Sequence, residues 1–138
     1  MSYAKHTRIT LMMFAFLMLA ASSIPAMAQS FTTFDAPGAG TGSGLGTLPI
    51  SINSKGAITG LTRDDNAVRH GFLRDKHGNF TIFDDPNAGT GSGEGTRGYS
   101  INPAGAITGW YTDAITGAGR GFLRAADGII TNLSLIHI

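Results

Sequence analysis

The chain has 138 residues, no cysteine and a formal net charge of +1. Without thiols there is no disulfide framework and no cysteine metal cluster, so the fold rests on its core or on stacked repeats. Charge this close to neutrality argues against a partner drawn in by long-range attraction, so neither nucleic acid nor an anionic membrane is expected.

Residues 1–28 read as a secretory signal peptide. Lys5 and Arg8 make a positive start, and Ile9 to Ala21 is an apolar run broken only by Thr10. Ala26-Met27-Ala28 then sets small residues where a signal peptidase reads, which places cleavage before Gln29. The run is shorter than the ~20 residues of a spanning helix, and the mature chain holds no other segment apolar enough to span. After residue 28 there are eight Lys and Arg against nine Asp and Glu, a net charge near −1. All twenty glycines lie there too, without the every-third spacing of collagen, so they mark tight turns.

Residues 29–46 read as a lone N-terminal strand (31–35) followed by a Gly-rich loop. A first repeat unit follows over 47–95. Leu48-Pro49-Ile50-Ser51-Ile52 alternates and predicts a half-buried strand with Leu48, Ile50 and Ile52 on one face. Asn53-Ser54-Lys55-Gly56 predicts a turn. Ala57 to Thr62 reads as a second strand, Arg63-Asp64-Asp65-Asn66 as a polar loop, Val68 to Arg74 as a third strand, Asp75-Lys76-His77-Gly78 as a turn, and Asn79 to Phe83 as a fourth strand. The second unit, 96–132 and truncated, repeats the plan with a longer loop at 112–119.

The repetition is direct. Residues 31–60 and 80–109 agree at 21 of 30 positions, and after one inserted residue Gly71-Phe72-Leu73-Arg74 matches Gly121-Phe122-Leu123-Arg124. A period near 50 built of four short strands is the plan of a propeller blade. The expected fold class is all-β: tandem four-stranded antiparallel units forming an incomplete β-propeller, with a β-solenoid as the alternative. No helix is expected in the mature chain. Two blades leave an open apolar face, so further repeats of the same full-length protein are expected as neighbours. The end of the chain supports that expectation. Leu133-Ser134-Leu135-Ile136-His137-Ile138 is what the mosaic end of a transposase-based sequencing adapter encodes, so 133–138 reads as a scar.

The order I-N-x-x-G-x-I-x-G, then G-F-L, then F-T-x-F-D-x-P-x-A resembles the bacterial extracellular HAF repeat. It runs here through Ile52-Asn53, Gly56, Ile58 and Gly60, then Gly71-Phe72-Leu73, then Phe80 to Asp84. The second copy carries Ile101-Asn102, Gly105, Ile107, Gly109 and Gly121-Phe122-Leu123. The resemblance covers essentially 31–132. It implies a secreted or surface-displayed protein of many tandem copies, propeller-like, and no particular activity. The histidine of the family triplet is His70 in one copy and Arg120 in the other, so it is not a fixed requirement.

Candidate chemistry lies in the loops. Gly40-Thr41-Gly42-Ser43-Gly44 and Gly89-Thr90-Gly91-Ser92-Gly93 show a G-x-G pattern, but a strand follows where a dinucleotide loop needs a helix, and no Gly-Lys-Ser/Thr is present. They read as flexible connectors between units. Asp64, Asp65 and Asp113 sit between the second and third strands, and Asp84, Asp85 and Glu94 near the connector, so acidic oxygens gather at one end beside Arg63 and Arg97. Two readings stand: an oxygen-ligand calcium or carbohydrate site, or aspartates that begin turns. Trp110 is a candidate sugar-stacking ring or a filler between blades. His70 and His77 are placed too far apart to share a metal, and no catalytic triad is visible. No catalytic or metal residue is assigned. The expected function is a non-enzymatic binding or scaffold module for an extracellular ligand or surface polymer. The alternative is a fragment of an extracellular propeller hydrolase or lyase acting on polysaccharide.

Overall fold

The structure is a computed structural model and describes residues 29–133. The signal-peptide reading of 1–28 lies outside the described residues, as does the adapter reading apart from Leu133. The chain divides after Thr33. Residues 29–33 carry neither helix nor strand, and the fold is that of Phe34 onward.

Eight strands form two antiparallel four-stranded sheets. The first contains β1 (Gly46–Ile52), β2 (Ile58–Arg63), β3 (Arg69–Arg74) and β4 (Phe80–Phe83), hydrogen-bonded in chain order. The second repeats it with β5 (Thr96–Ile101), β6 (Ile107–Thr112), β7 (Gly119–Arg124) and β8 (Ile130–Leu133). The fold is all-β, with no helix among the described residues and no closure of either sheet into a barrel. Consecutive antiparallel meanders are successive blades and not coils, so the solenoid alternative falls.

Short turns set this order. The Asn53 side-chain oxygen accepts from the N–H groups of Lys55 and Ala57, and Gly56 completes the turn at φ 81°. In the second unit Asn102 accepts from the Ala106 N–H, with Gly105 at φ 91°. An Asx turn with a left-handed glycine is what the Ile-Asn-x-x-Gly run encodes. The Asn53 amide also donates to the Asn102 carbonyl at 2.9 Å and ties the two turns together.

The sheets meet through aromatic rings. Phe83, the last residue of β4, packs edge-on against Phe122 of β7 with centroids 6.0 Å apart, within a buried cluster of Phe83, Ile101, Ile107, Tyr111 and Phe122. Phe34 meets Phe72 of β3 in the same way at 6.4 Å. The rings need room over the neighbouring strand. A side chain on Gly60 would strike the Leu48 carbonyl and the Phe72 ring, and one on Gly109 the Arg97 carbonyl and the Phe122 ring.

Two expectations change. The segment 31–35 is not a strand. Its counterpart β4 pairs with β3, and no strand among the described residues offers 31–35 such a ladder. Leu48, Ile50 and Ile52 do not share a face either. The β1–β2 register shifts between Pro49 and Ser51, so Leu48 sits opposite Leu61 while Ile52 sits opposite Ile58. An extra residue at a bulge reverses the alternation beyond it, and proline, with no N–H to give the ladder, suits that place. All three side chains are exposed.

The loop between β2 and β3 holds Ala67 at φ 62°, and the aligned residue of the second unit is Gly117 at φ 68°. Left-handed backbone costs a residue with a Cβ about 1–2 kcal/mol, and glycine returns about 0.4–1 kcal/mol of that as added unfolded-state entropy. Ala67→Gly is therefore expected to stabilise the protein by roughly 0.5–1 kcal/mol, read as a raised denaturant midpoint with unchanged slope. Gly109→Ala, which forces a methyl onto backbone, should lower it sharply.

Candidate functional site

The β2–β3 loop, the β6–β7 loop and both glycine-rich segments meet at one end of the sheets. Gly40 donates its N–H to Arg63 at 2.7 Å, Gly93 to Ala67 at 3.0 Å, and Gly89 to Thr112 at 2.8 Å. The glycine segments are thus not flexible connectors. Each is pinned by backbone hydrogen bonds at matching positions, Leu45 to Gly42 and Glu94 to Gly91.

The expected acidic cluster is brought to this end, but most of its oxygens are occupied in holding turns. Asp64 accepts from the N–H groups of Asn66 and Val68. Burial pushes its carboxyl up, but those two bonds and His70 outweigh this and hold it below the usual aspartate value. Asp113 accepts from the Thr116 and Ile115 N–H groups and pairs with Arg120 at 2.7 Å, and these bonds, the Thr116 ones foremost, hold its carboxyl low. Asp65 accepts from Thr41 N–H at 3.3 Å. Asp85 is buried at 3% exposure and caps Asn87 through one oxygen, while the other is buried without a partner. Glu94 accepts from Gly91 N–H. Asp84, exposed, accepts from or pairs with the His70 ring at 2.8 Å, and the other ring nitrogen lies 3.7 Å from Asp64. Among the described residues no three His, Cys, Asp or Glu side chains converge as a metal site needs.

The two copies explain His70. It clips Asp64 at the position where Arg120 clips Asp113. A cation that fastens the acidic loop is what this position keeps, and either histidine or arginine supplies it.

Trp110 is half-buried on β6, directly opposite Arg97 of β5, whose guanidinium lies 3.7 Å from the ring centroid. Its neighbour Tyr111 is buried in the core. One face of the Trp110 ring is therefore taken by a cation, which leaves less of it for a sugar than the isolated residue suggested.

The sequence reading places Arg63 and Arg97 at this end but gives them no role, and it does not name Arg69. Arg63 and Arg69 are direct cross-strand partners on β2 and β3. Arg97, at 5% exposure, donates to the Gly93 carbonyl at 2.9 Å. Burial, and after it the charges of Arg69 and Arg63, pushes its guanidinium down to about 10. None of the three has a carboxylate within salt-bridge distance among the described residues. A comparison of the copies carried a signal: Arg63, Arg69 and Arg97 stand where the other unit has Thr112, Gly119 and Leu48.

Carboxyl groups held low stabilise the fold above the ordinary aspartate value of about 3.9 and lose that contribution as pH falls through their lower folded values. Thermal stability is expected to drop as pH falls below about 4, in a window set by Asp64, Asp113 and Asp75, whose carboxyl accepts from Asn79. Scanning calorimetry of Asp64→Asn/Asp75→Asn/Asp113→Asn between pH 5 and 2.5 should show a lower midpoint at pH 5 and a flatter acid dependence.

Comparison with known protein families, with characterised proteins and with solved structures finds no match to this chain.

Proposed function

We propose that the chain belongs to a secreted or surface-exposed repeat protein of the HAF type and serves as a non-enzymatic binding or scaffold module. Its partner is an extracellular ligand or surface polymer, met at the loop end. The signal-like segment 1–28 and the repeat order through 31–132 support the location. The observation that carries the binding role is the use of the acidic side chains. Asp64, Asp85, Glu94 and Asp113 cap their own loops, so the end of the sheets is a braced ledge whose groups hold shape. Acid–base catalysis asks instead for carboxyls left facing the substrate.

The competing hydrolase or lyase reading would draw on Asp84 with His70, the exposed pair of this end. Affinity electrophoresis through gels holding dextran, soluble cellulose derivatives or polygalacturonate separates the two. Retardation in at least one gel, without release of reducing ends, is the expected result. Reducing ends released by the wild type and lost in Asp84→Asn would overturn the proposal.

A further inference from the structure

The junction of the two units concentrates positive charge that nothing nearby neutralises. Arg63 and Arg69 face each other across β2 and β3. Like charges so placed destabilise a sheet, and only Arg63 has a side-chain hydrogen bond of its own, to the Gly44 carbonyl. Arg69 is bound by its backbone to the connector, donating N–H to Glu94 at 3.0 Å. Its Nη1 lies 3.6 Å from where a side chain on Gly93 would begin, and the Gly93 carbonyl accepts from Arg97. Arg69 and Arg97 thus flank the same glycine. Tyr99 of β5 is exposed two residues along the strand from Arg97. The described ion pairs are made elsewhere, by His70 and Arg120.

Arg63 adds a concave element. It lines a pocket of about 210 Å³ with Leu45, Leu48 and Leu61. One guanidinium nitrogen donates to the Gly44 carbonyl at 2.7 Å, while the buried Nε has no partner. That pocket is smaller than the ~300–1,000 Å³ of sites that enclose a whole ligand. It suits a single ring of a chain that continues outside, with an apolar ring face on the leucines and an oxyanion toward arginine.

We infer that Arg63 and Arg69, with Tyr99, form a binding site for the oxyanion groups of an acidic polysaccharide, and that buried Arg97 adds its charge from behind. The inference rests on the binding-module reading and names its ligand class. Guanidinium forks match carboxylate and sulfate in pairs of hydrogen bonds, and an exposed aromatic gives a sugar ring a stacking surface. The repeat duplicates none of these residues. Tyr99 replaces Ile50, and each arginine replaces or is replaced by an uncharged residue in the other unit. These residues occur once in the two copies and converge at their junction.

The test is titration of the full chain with polygalacturonate, dextran sulfate and neutral dextran, read by calorimetry at two salt concentrations. Binding to an acidic polymer, weakened by salt, is expected, with little for neutral dextran. Carboxylate and sulfate forms of the ligand are told apart by which acidic polymer binds more tightly. Arg69→Gln and Arg63→Gln should each weaken binding by about tenfold or more, while Arg69→Lys retains part of it. Without polymer, Arg69→Gln should keep or raise the denaturation midpoint, because it relieves repulsion; an arginine with only a structural role would lower it. Binding to neutral dextran alone, or acidic binding unaltered in both glutamine variants, overturns this site and leaves the binding module standing. Equal affinity for single-stranded DNA overturns it as well, since the contact is then one of general charge. Failure to bind any polymer overturns both readings.

Discussion

The interaction on which the rest depends is the ring that each unit hands to the next sheet. Phe83 closes β4 and lies against Phe122; Phe34 does the same to Phe72. A guanidinium caps each donated ring, Arg124 over Phe83 at 5.0 Å and Arg74 over Phe34 at 4.9 Å. Two residues later a threonine hydroxyl of the receiving unit holds the incoming backbone: Thr47 accepts from Ala36 N–H at 2.8 Å and Thr96 from Asp85 N–H at 2.9 Å. Each buried phenylalanine contributes roughly 1.5–3 kcal/mol, and the receiving ring fits because the strand beside it carries a glycine, Gly60 at Phe72 and Gly109 at Phe122. Phe34/Phe83, Gly60/Gly109, Phe72/Phe122, Thr47/Thr96 and Arg74/Arg124 are therefore one device written twice. The repeat persists in sequence because the interface it serves persists in space.

Loops at the far end of the sheets solve a different problem. Crossing between strands leaves N–H groups without ladder partners, and a buried orphan N–H is costly. Asp64 and Asp113 at this end, and Asp75 and Asp127 in the turns at the opposite end, each supply an oxygen to N–H groups two residues ahead. This is why aspartates crowd one region without forming a metal site: their lone pairs already point into their own turns. The latch between loop acid and strand cation, Asp64 with His70 and Asp113 with Arg120, then ties loop to strand.

Strand number, turn positions and antiparallel order were all legible, because Ile-Asn-x-x-Gly, Asp-x-x-Gly and the Gly-Phe-Leu strands are local signals repeated twice. The bulge in β1 was not. A five-residue alternation looks the same with or without an extra residue, and only the partner register, Leu48 to Leu61 but Ile52 to Ile58, exposes the reversal. The strand at 31–35 failed for a related reason: its sequence matches β4, but a strand exists only against a partner. At the site, residue type pointed to the acids and placement pointed to the arginines. Carboxylates are read easily as chemistry, yet whether their oxygens are free depends on N–H groups that sequence does not locate.

One exchange shows how a repeat acquires something of its own. The first unit pairs Leu48 with Leu61 across β1 and β2; the second pairs Arg97 with Trp110 at the same register. Neither half of that change stands alone. A guanidinium at 5% exposure needs acceptors and a polarisable surface, and it finds the Gly93 carbonyl and the Trp110 face. Trp110 in turn fits because Gly119 of β7 leaves its ring room, with closest approach 3.3 Å to where a side chain would start. Arg69 stands in the first unit at the position that Gly119 fills in the second, so one aligned site makes space for the tryptophan in one copy and adds a cation in the other. The framework of rings and turns is held constant by both copies, and that constancy is what allows the junction between them to bear an unneutralised charge.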